Sequence, residues 1–114
     1  MTDTLTLIQH FHDALNRHDI DAMMALMSAD CLFENTFPAP DGTRYEGQAA
    51  VRAFWHEFFT VSPQAYIAIE EIFALDNRAV IRWRYQWDGG HVRGVDIFRV
   101  HDGKITEKLS YVKG

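Results

Sequence analysis

The spacing of apolar residues changes once along this chain, from a helical period to a period of two. Residues 48–59 carry apolar side chains at positions i, i+3, i+4, i+7 and i+8, the pattern of a helix face that packs on a core. Beyond Pro63 the alternation is that of strands, predicted at 65–75, 78–87, 91–101 and 104–112. Helices followed by strands with tight turns indicate an α+β domain whose helices cover one face of an antiparallel sheet.

The first part of the chain predicts two shorter helices and one strand. Asp3 and Asp19 stand where N-cap residues are expected, each just before a stretch of helical apolar spacing. Residues 31–35 indicate a strand, and residues 36–47, with two prolines and an Asp-Gly pair, indicate a loop. The turn at Asp102-Gly103 is the strongest hairpin signal. A curved sheet covered by helices leaves a cavity between the two layers, which we expect here.

Length and charge narrow the class of protein. The 114 residues predict one domain, 1–114, and the net charge of −5 disfavours a nucleic-acid partner. No apolar run approaches the ~18–20 residues of a membrane span, and the first residues lack a basic signal-peptide start. Cys31, the single cysteine, fits a reducing compartment. We therefore expect a cytoplasmic protein with no membrane contact.

Two stretches carry a family resemblance. Gly47-Gln-Ala-Ala-Val-Arg-Ala-Phe-Trp55 begins the best helix, and Asp-Ile-Phe-Arg-Val-His-Asp-Gly-Lys-Ile at 96–105 spans the last hairpin. With the order of elements, these resemble the SnoaL-like branch of the nuclear-transport-factor-2-like superfamily. The resemblance implies a cone-shaped α+β barrel, with three N-terminal helices packed on a curved, mixed, mostly antiparallel sheet around a central pocket. It also implies a homodimer through the sheet.

Known activities of that superfamily can be compared residue by residue. Where ketosteroid isomerase has its carboxylate base and its oxyanion tyrosine, this chain has Asn35 and Phe11, so that activity is not expected. Limonene-type epoxide hydrolases are similar at Arg82, but their two aspartates fall near Arg84 and Ser110. That second activity is not expected either.

SnoaL-type polyketide cyclases are more similar. They use an Asp on the Gly-x-Asp strand for acid/base chemistry and a cationic or imidazole group on the last strand. Asp96 and Lys108 match these positions, with Lys in place of the more usual His. The resemblance therefore implies Asp96 and Lys108 as catalytic residues.

Strand alternation leaves two assignments of the sheet faces open. In the first, the row of Trp83, Tyr85 and Trp87 faces the helices and the polar row faces water. In the second, the aromatic row forms a dimer interface, while Arg82, Arg84, Asp96 and Lys108 share one cavity. Asp96 is then either a plain ion-pair partner or a ligand-facing carboxylate, and neighbouring cations and burial act on its pKa in opposite directions.

Two further positions have alternative interpretations. Asn35 is either a turn-forming residue or a neutral hydrogen-bond donor at the pocket floor. Trp55 is either a core residue or a donor to a ligand oxygen. The predicted ligand-binding residues are Asn35, Trp55, Arg82, Arg84 and Ser110.

The histidines show no metal-ligand spacing, so neither a metal nor a cofactor is expected. His12 is expected on the surface.

The predicted function is binding of a small, oxygenated organic molecule, with cofactor-free acid/base chemistry of an isomerase, cyclase or dehydratase. Three cations near one site would favour an anionic ligand. The alternative is a non-catalytic ligand-binding or dimeric interaction protein.

Overall fold

The computed structural model describes residues 3–113. It has three helices and six strands, which confirms the predicted α+β class. The four strands predicted beyond Pro63 are present, and so are the three predicted helices. In chain order the elements are α1 (Thr4–Asn16), α2 (Ile20–Ala25), β1 (Met27–Glu34), β2 (Arg44–Glu46), α3 (Gly47–Val61), β3 (Ile67–Leu75), β4 (Arg78–Trp87), β5 (Gly90–His101) and β6 (Lys104–Val112).

Short polar side chains determine where the first helices begin. The Asp3 carboxylate accepts a hydrogen bond from the Thr6 backbone N–H at 2.7 Å, and Asp19 accepts one from Ala22 at 3.1 Å. Each satisfies a backbone donor that has no partner within its helix. Both predicted caps are confirmed.

The sheet has the order β2-β1-β6-β5-β4-β3. Its neighbours are antiparallel except β1 and β6, which run parallel, so the sheet is mixed but mostly antiparallel. The predicted loop at 36–47 is wrong at its end, because Arg44–Glu46 pairs with β1. Three residues are too few to show an alternating pattern, and the partner strand supplies the hydrogen bonds.

The helices cover one side of the sheet, which we call the inner face; the opposite side is the outer face. Phe11 of α1, Trp55 of α3 and Phe98 of β5 are among the residues buried between the two layers. On β4, Ile81 and Trp83 are buried on the inner face, whereas Arg82 alternates onto the outer face. The structure thus has the first of the two predicted face assignments for β4.

A β-bulge reverses the alternation of β6. Val100 pairs with Ile105 while Arg99 pairs with Glu107, so Thr106 is the extra residue. Because of this insertion, Lys108 lies on the inner face together with Ile105. Strict alternation would place Ile105 and Lys108, three residues apart, on opposite faces. No helix within residues 3–113 is long and apolar enough to cross a membrane.

Candidate functional site

A cavity of about 340 Å³ lies against the inner face, beneath α3 and beside the end of β1. Such a volume falls within the range of small-molecule sites. Aromatic side chains dominate its wall, and a few polar groups interrupt them. The lining residues are Phe33, Asn35, Thr36, Phe37, Phe54, Trp55, Phe58, Ile67, Trp83, Tyr85, Val92, Asp96, Lys108 and Ser110.

A buried ion pair forms part of this wall. Lys108 Nζ lies 3.2 Å from Asp96 Oδ2, and each residue is only 4% exposed. The second carboxylate oxygen, Oδ1, accepts the Trp83 indole N–H at 2.9 Å. The lysine also donates to Ser110 Oγ at 3.2 Å. Taking two charges out of water is costly, so their mutual attraction and these hydrogen bonds must offset the desolvation.

Strand register explains why the two charges meet. Asp96 is the cross-strand neighbour of Ser110, and Lys108 lies between Phe98 of β5 and Phe33 of β1. The bulge at Thr106 brings Lys108 to the inner face. Its ammonium lies 4.5 Å from the Phe33 ring centroid and 5.4 Å from that of Trp55. Aromatic faces attract a cation, so these rings help to hold the ammonium in an otherwise apolar wall.

Gly94 gives the Trp83 indole room to reach Asp96. The two residues are cross-strand neighbours, and a Cβ at position 94 would collide with the Trp83 ring and with the Tyr111 carbonyl. Because glycine has no side chain, the indole lies close against β5. The indole N–H can then bond Asp96 two residues further along that strand.

The indole N–H of Trp55 is a buried hydrogen-bond donor without a partner in the described part of the chain. The residue is 3% exposed and lines the cavity. Its indole N–H has no acceptor among residues 3–113. Buried donors are nearly always paired, so an unpaired one in a cavity wall is a candidate contact for a ligand.

Asn35 follows β1 at the edge of the cavity, and its side chain organises the loop that comes next. Oδ1 accepts the Thr43 N–H at 2.9 Å and the Phe37 N–H at 3.3 Å. These are the local bonds of a turn-forming Asn. The residue also lines the cavity, so the structure combines features of both interpretations.

The predicted placement of Arg82 and Arg84 beside Asp96 is wrong. Arg82 lies on the outer face, 3.3 Å from Glu71 and 3.7 Å from Glu70. Arg84, two residues along the same strand, also alternates onto the outer face. The reason is the pleat of β4: because Trp83 is buried on the inner face, its two neighbours along the strand must point away from that face. Of the proposed cations, the structure brings only Lys108 to the cavity.

His12 was expected on the surface, and the structure corrects this. It is 3% exposed, and Nε2 donates to the Ile67 carbonyl at 2.6 Å, since a carbonyl oxygen only accepts. Burial lowers the pKa of the imidazole, although the bond to Ile67 acts in the opposite direction. His12 lies four residues after Ile8 and three before Leu15. This helical spacing indicates that it belongs to the buried face of α1.

A second concavity, of about 390 Å³, lies on the outer face beside Arg82 and Tyr111. Most of its side chains are charged or exposed, and it lacks the buried polar groups of the aromatic cavity, so we assign the candidate site to the latter. Within residues 3–113, no group of three or more His, Cys, Asp or Glu side chains is placed to hold a metal ion.

Solved structures share this arrangement of elements. An NTF2-like protein of unknown function from Mesorhizobium loti is 43% identical, with a TM-score of 0.87, and the match covers 97% of this chain and 91% of that one. A putative ketosteroid isomerase from Kribbella flavida is 20% identical, with a TM-score of 0.85 and coverage of 97% and 78%. The latter similarity establishes the fold alone.

Sequence comparison gives the family. No curated protein matches the chain. A SnoaL-like protein of unknown function from Burkholderia thailandensis is 20% identical, with a TM-score of 0.82 and coverage of 97% and 95%. The family model described as SnoaL-like domain matches residues 8–108, which is most of the sequence. The chain therefore belongs to the SnoaL-like family.

Proposed function

We propose that this protein binds a small, partly apolar, oxygen-bearing molecule in a cone-shaped fold and performs cofactor-free acid/base chemistry on it. Isomerisation, cyclisation and dehydration are the reaction types that such chemistry serves. The observation that carries the proposal is the buried Asp96–Lys108 pair in a wall that is mainly aromatic. Charged side chains are rarely buried unless they are paired, and convergent polar groups in a mainly apolar cavity are typical of a ligand site.

Each polar group has a role in this proposal. Asp96 is the proton-transfer group, since within the described chain its Oδ2 contacts only the ammonium of Lys108. Lys108 and the unpaired Trp55 N–H stabilise a negative oxygen that develops on the substrate. Trp83 holds the carboxylate in place through Oδ1.

The cavity limits the size and charge of the ligand. Its 340 Å³ corresponds to roughly eleven waters at their share of about 30 Å³ each, which suits a ligand of one or two rings. Both predicted arginines lie on the outer face and add no charge to the cavity. The positive charge of Lys108 is already balanced by the Asp96 carboxylate. A neutral carbonyl compound therefore fits the charge of the cavity better than the anion expected from the sequence.

Proton exchange tests the proposal without knowledge of the natural substrate. In D₂O, the protein should accelerate exchange of the α-protons of β-tetralone, followed by proton NMR. Asp96→Asn should reduce the protein-dependent rate by about 10²–10⁴, the usual contribution of a general base. Arg99→Ala, on the outer face, is the control and should retain the rate. Equal exchange by the Asn variant would contradict the proposed role of Asp96.

A second candidate function is ligand binding without turnover. Both Asp96 oxygens are already engaged, by Trp83 and Lys108, and Asn35 provides no base at the end of β1. Saturable quenching of tryptophan fluorescence by β-tetralone, without any α-proton exchange, would favour this function. Exchange that depends on Asp96 would exclude it.

We further propose that the protein is a homodimer through the outer face of the sheet. Phe73, Val80, Ile97 and Leu109 are consecutive cross-strand neighbours there, and Phe73 is 55% exposed. An apolar row that crosses four strands is a typical protein contact. Sedimentation should find a dimer, and Ile97→Glu should convert it into a folded monomer. A monomeric wild type would overturn the proposal.

A further inference from the structure

The side chain of Lys108 brings a primary amine into a wall of aromatic rings. Its Nζ lies within 4.5 Å of the Phe33 centroid and its side chain is 5% exposed. The ammonium forms an ion pair with Asp96 and donates one hydrogen bond, to Ser110. Within residues 3–113 it has no further polar partner, and the aromatic faces are its remaining neighbours. The nitrogen is thus held at the cavity without being fully occupied by polar partners.

We propose that Lys108 forms a Schiff base with a neutral aldehyde or ketone bound in the cavity, with Asp96 carrying the protons. The inference deepens the proposed function, since it needs the same cavity to bind a carbonyl compound. It adds a covalent step: the lysine acts as a nucleophile rather than only as a charge. Lysines surrounded by apolar groups are the ones that serve this chemistry in proteins.

The partner of the lysine makes the required neutral amine accessible. Transfer of one proton from Nζ to Asp96 Oδ2, 3.2 Å away, converts an ion pair into an amine and a carboxylic acid without changing the net charge. Water stabilises the ion pair more than the neutral pair. An apolar ligand that displaces water from the cavity therefore shifts this balance towards the nucleophilic amine.

The step balances without an added reagent. Nζ attacks the carbonyl carbon, the C=O π bond breaks, and the oxygen takes the proton that Asp96 had received. Asp96 then passes a second proton from nitrogen to the hydroxyl group, which leaves as water. The products are a protonated imine on Lys108, the Asp96 carboxylate and one water. The imine retains the positive charge of the original ammonium, so the ion pair with Asp96 persists.

Trp55 completes the arrangement on the substrate side. Its buried indole N–H has no acceptor within the described chain, and its ring lies 5.4 Å from Nζ. A carbonyl oxygen that accepts this N–H is polarised while its carbon lies near the lysine. The chemical class of substrate is therefore a neutral carbonyl compound with an apolar, flat body.

Reductive trapping tests the inference directly. The wild-type protein is incubated with naphthaldehyde and sodium cyanoborohydride, and the modified lysines are located by peptide mass mapping. Lys104 and Lys113, the other lysines of the chain, are exposed and serve as internal controls. We expect at least tenfold more adduct on Lys108 than on either control. Adduct spread over the exposed lysines, or none on Lys108, would overturn the inference.

A matched alcohol separates this inference from the proposed function. Naphthylmethanol has the same ring system but no carbonyl, so it can occupy the cavity without forming an imine. It should suppress the adduct on Lys108 and leave Lys104 unchanged. If it binds, by tryptophan quenching, while naphthaldehyde leaves Lys108 unmodified, the Schiff base is refuted and the binding site remains. If naphthylmethanol does not bind and Lys108 is unmodified, both the Schiff base and the proposed binding site are refuted.

Two variants test the chemistry of the step. Lys108→Arg retains a positive charge but cannot form the imine, so the preferential adduct should be lost. Asp96→Asn removes the proton carrier and should slow trapping at Lys108 at least tenfold, with Lys104 labelled as before. Unchanged labelling of Lys108 in the Asn variant would contradict the role given to Asp96.

Discussion

Charged side chains are buried on one face of the sheet and exposed on the other. On the inner face, Asp96 and Lys108 are 4% exposed and have aromatic neighbours. On the outer face, Arg82 and Arg99 keep close to half of their side-chain surface exposed while pairing with glutamates. Strands β4, β5 and β6 contribute to both faces, so the difference comes from what covers each face and not from the strands themselves.

Charges on the inner face must be stabilised by other groups of the protein, whereas charges on the outer face are stabilised by water. Exposed ion pairs contribute only about 0–1 kcal/mol, because water and salt compete for both partners. A buried charge that loses its partner has no such alternative. The inner pair is therefore sensitive to single substitutions, whereas the outer pairs tolerate them.

Lys108→Met should have the largest effect on stability. The substitution leaves the Asp96 carboxylate buried without a counter-ion, and losing one partner of a buried pair costs about 3–5 kcal/mol. The free energy of unfolding from urea titration at neutral pH measures this change. A loss below about 1 kcal/mol, the value of a surface pair, would remove the distinction between the faces.

The double variant Asp96→Asn/Lys108→Met is the control for this prediction. It has no buried charge, and Asn keeps an oxygen that can accept the Trp83 N–H. Replacing both partners of a buried pair is often close to neutral, so the double variant should recover most of the lost stability. If the losses simply add, the pair is not coupled as its 3.2 Å separation indicates.

The hairpins of this fold could be predicted because their signals are local. The turn residues Asp102 and Gly103 both have positive φ, +50° and +72°, as a two-residue hairpin turn of type I′ requires. The bulge at Thr106 could not be predicted, because it arises from how β6 pairs with β5 and not from its own composition. This one inserted residue is enough to bring Lys108 to the same face as Ile105.

The site was predictable only in part for the same reason. The sequence indicated Asp96, Lys108, Ser110, Trp55 and Asn35, and the structure brings these residues to one cavity. It also suggested Arg82 and Arg84, which lie outside the cavity because Trp83, between them on β4, is buried on the inner face. Face assignment depends on which side of a strand the helices cover, and strand alternation alone leaves both sides open.

Trp83→Phe should have an intermediate effect. It removes the N–H that reaches Asp96 Oδ1 at 2.9 Å but leaves the ion pair in place. A hydrogen bond to a charged group contributes roughly 1.5–3 kcal/mol, so urea titration should show a loss in that range. Trp87→Phe is the matched control, since Trp87 is 48% exposed and lies on the same strand. Equal losses in the two variants would mean that the bond to Asp96 contributes nothing specific.

Arg82→Ala should have the smallest effect, and it tests the outer face most directly. The guanidinium pairs with Glu71 and Glu70 at 3.3 and 3.7 Å while its side chain stays 43% exposed. Surface substitutions of this kind change stability by about 0.5 kcal/mol or less, and salt should screen what remains. Binding of naphthylmethanol should stay within twofold of wild type, because Arg82 and the cavity lie on opposite faces. A tenfold loss of binding would instead place this arginine at the ligand. It would contradict the conclusion that Arg82 and the cavity lie on opposite faces of β4.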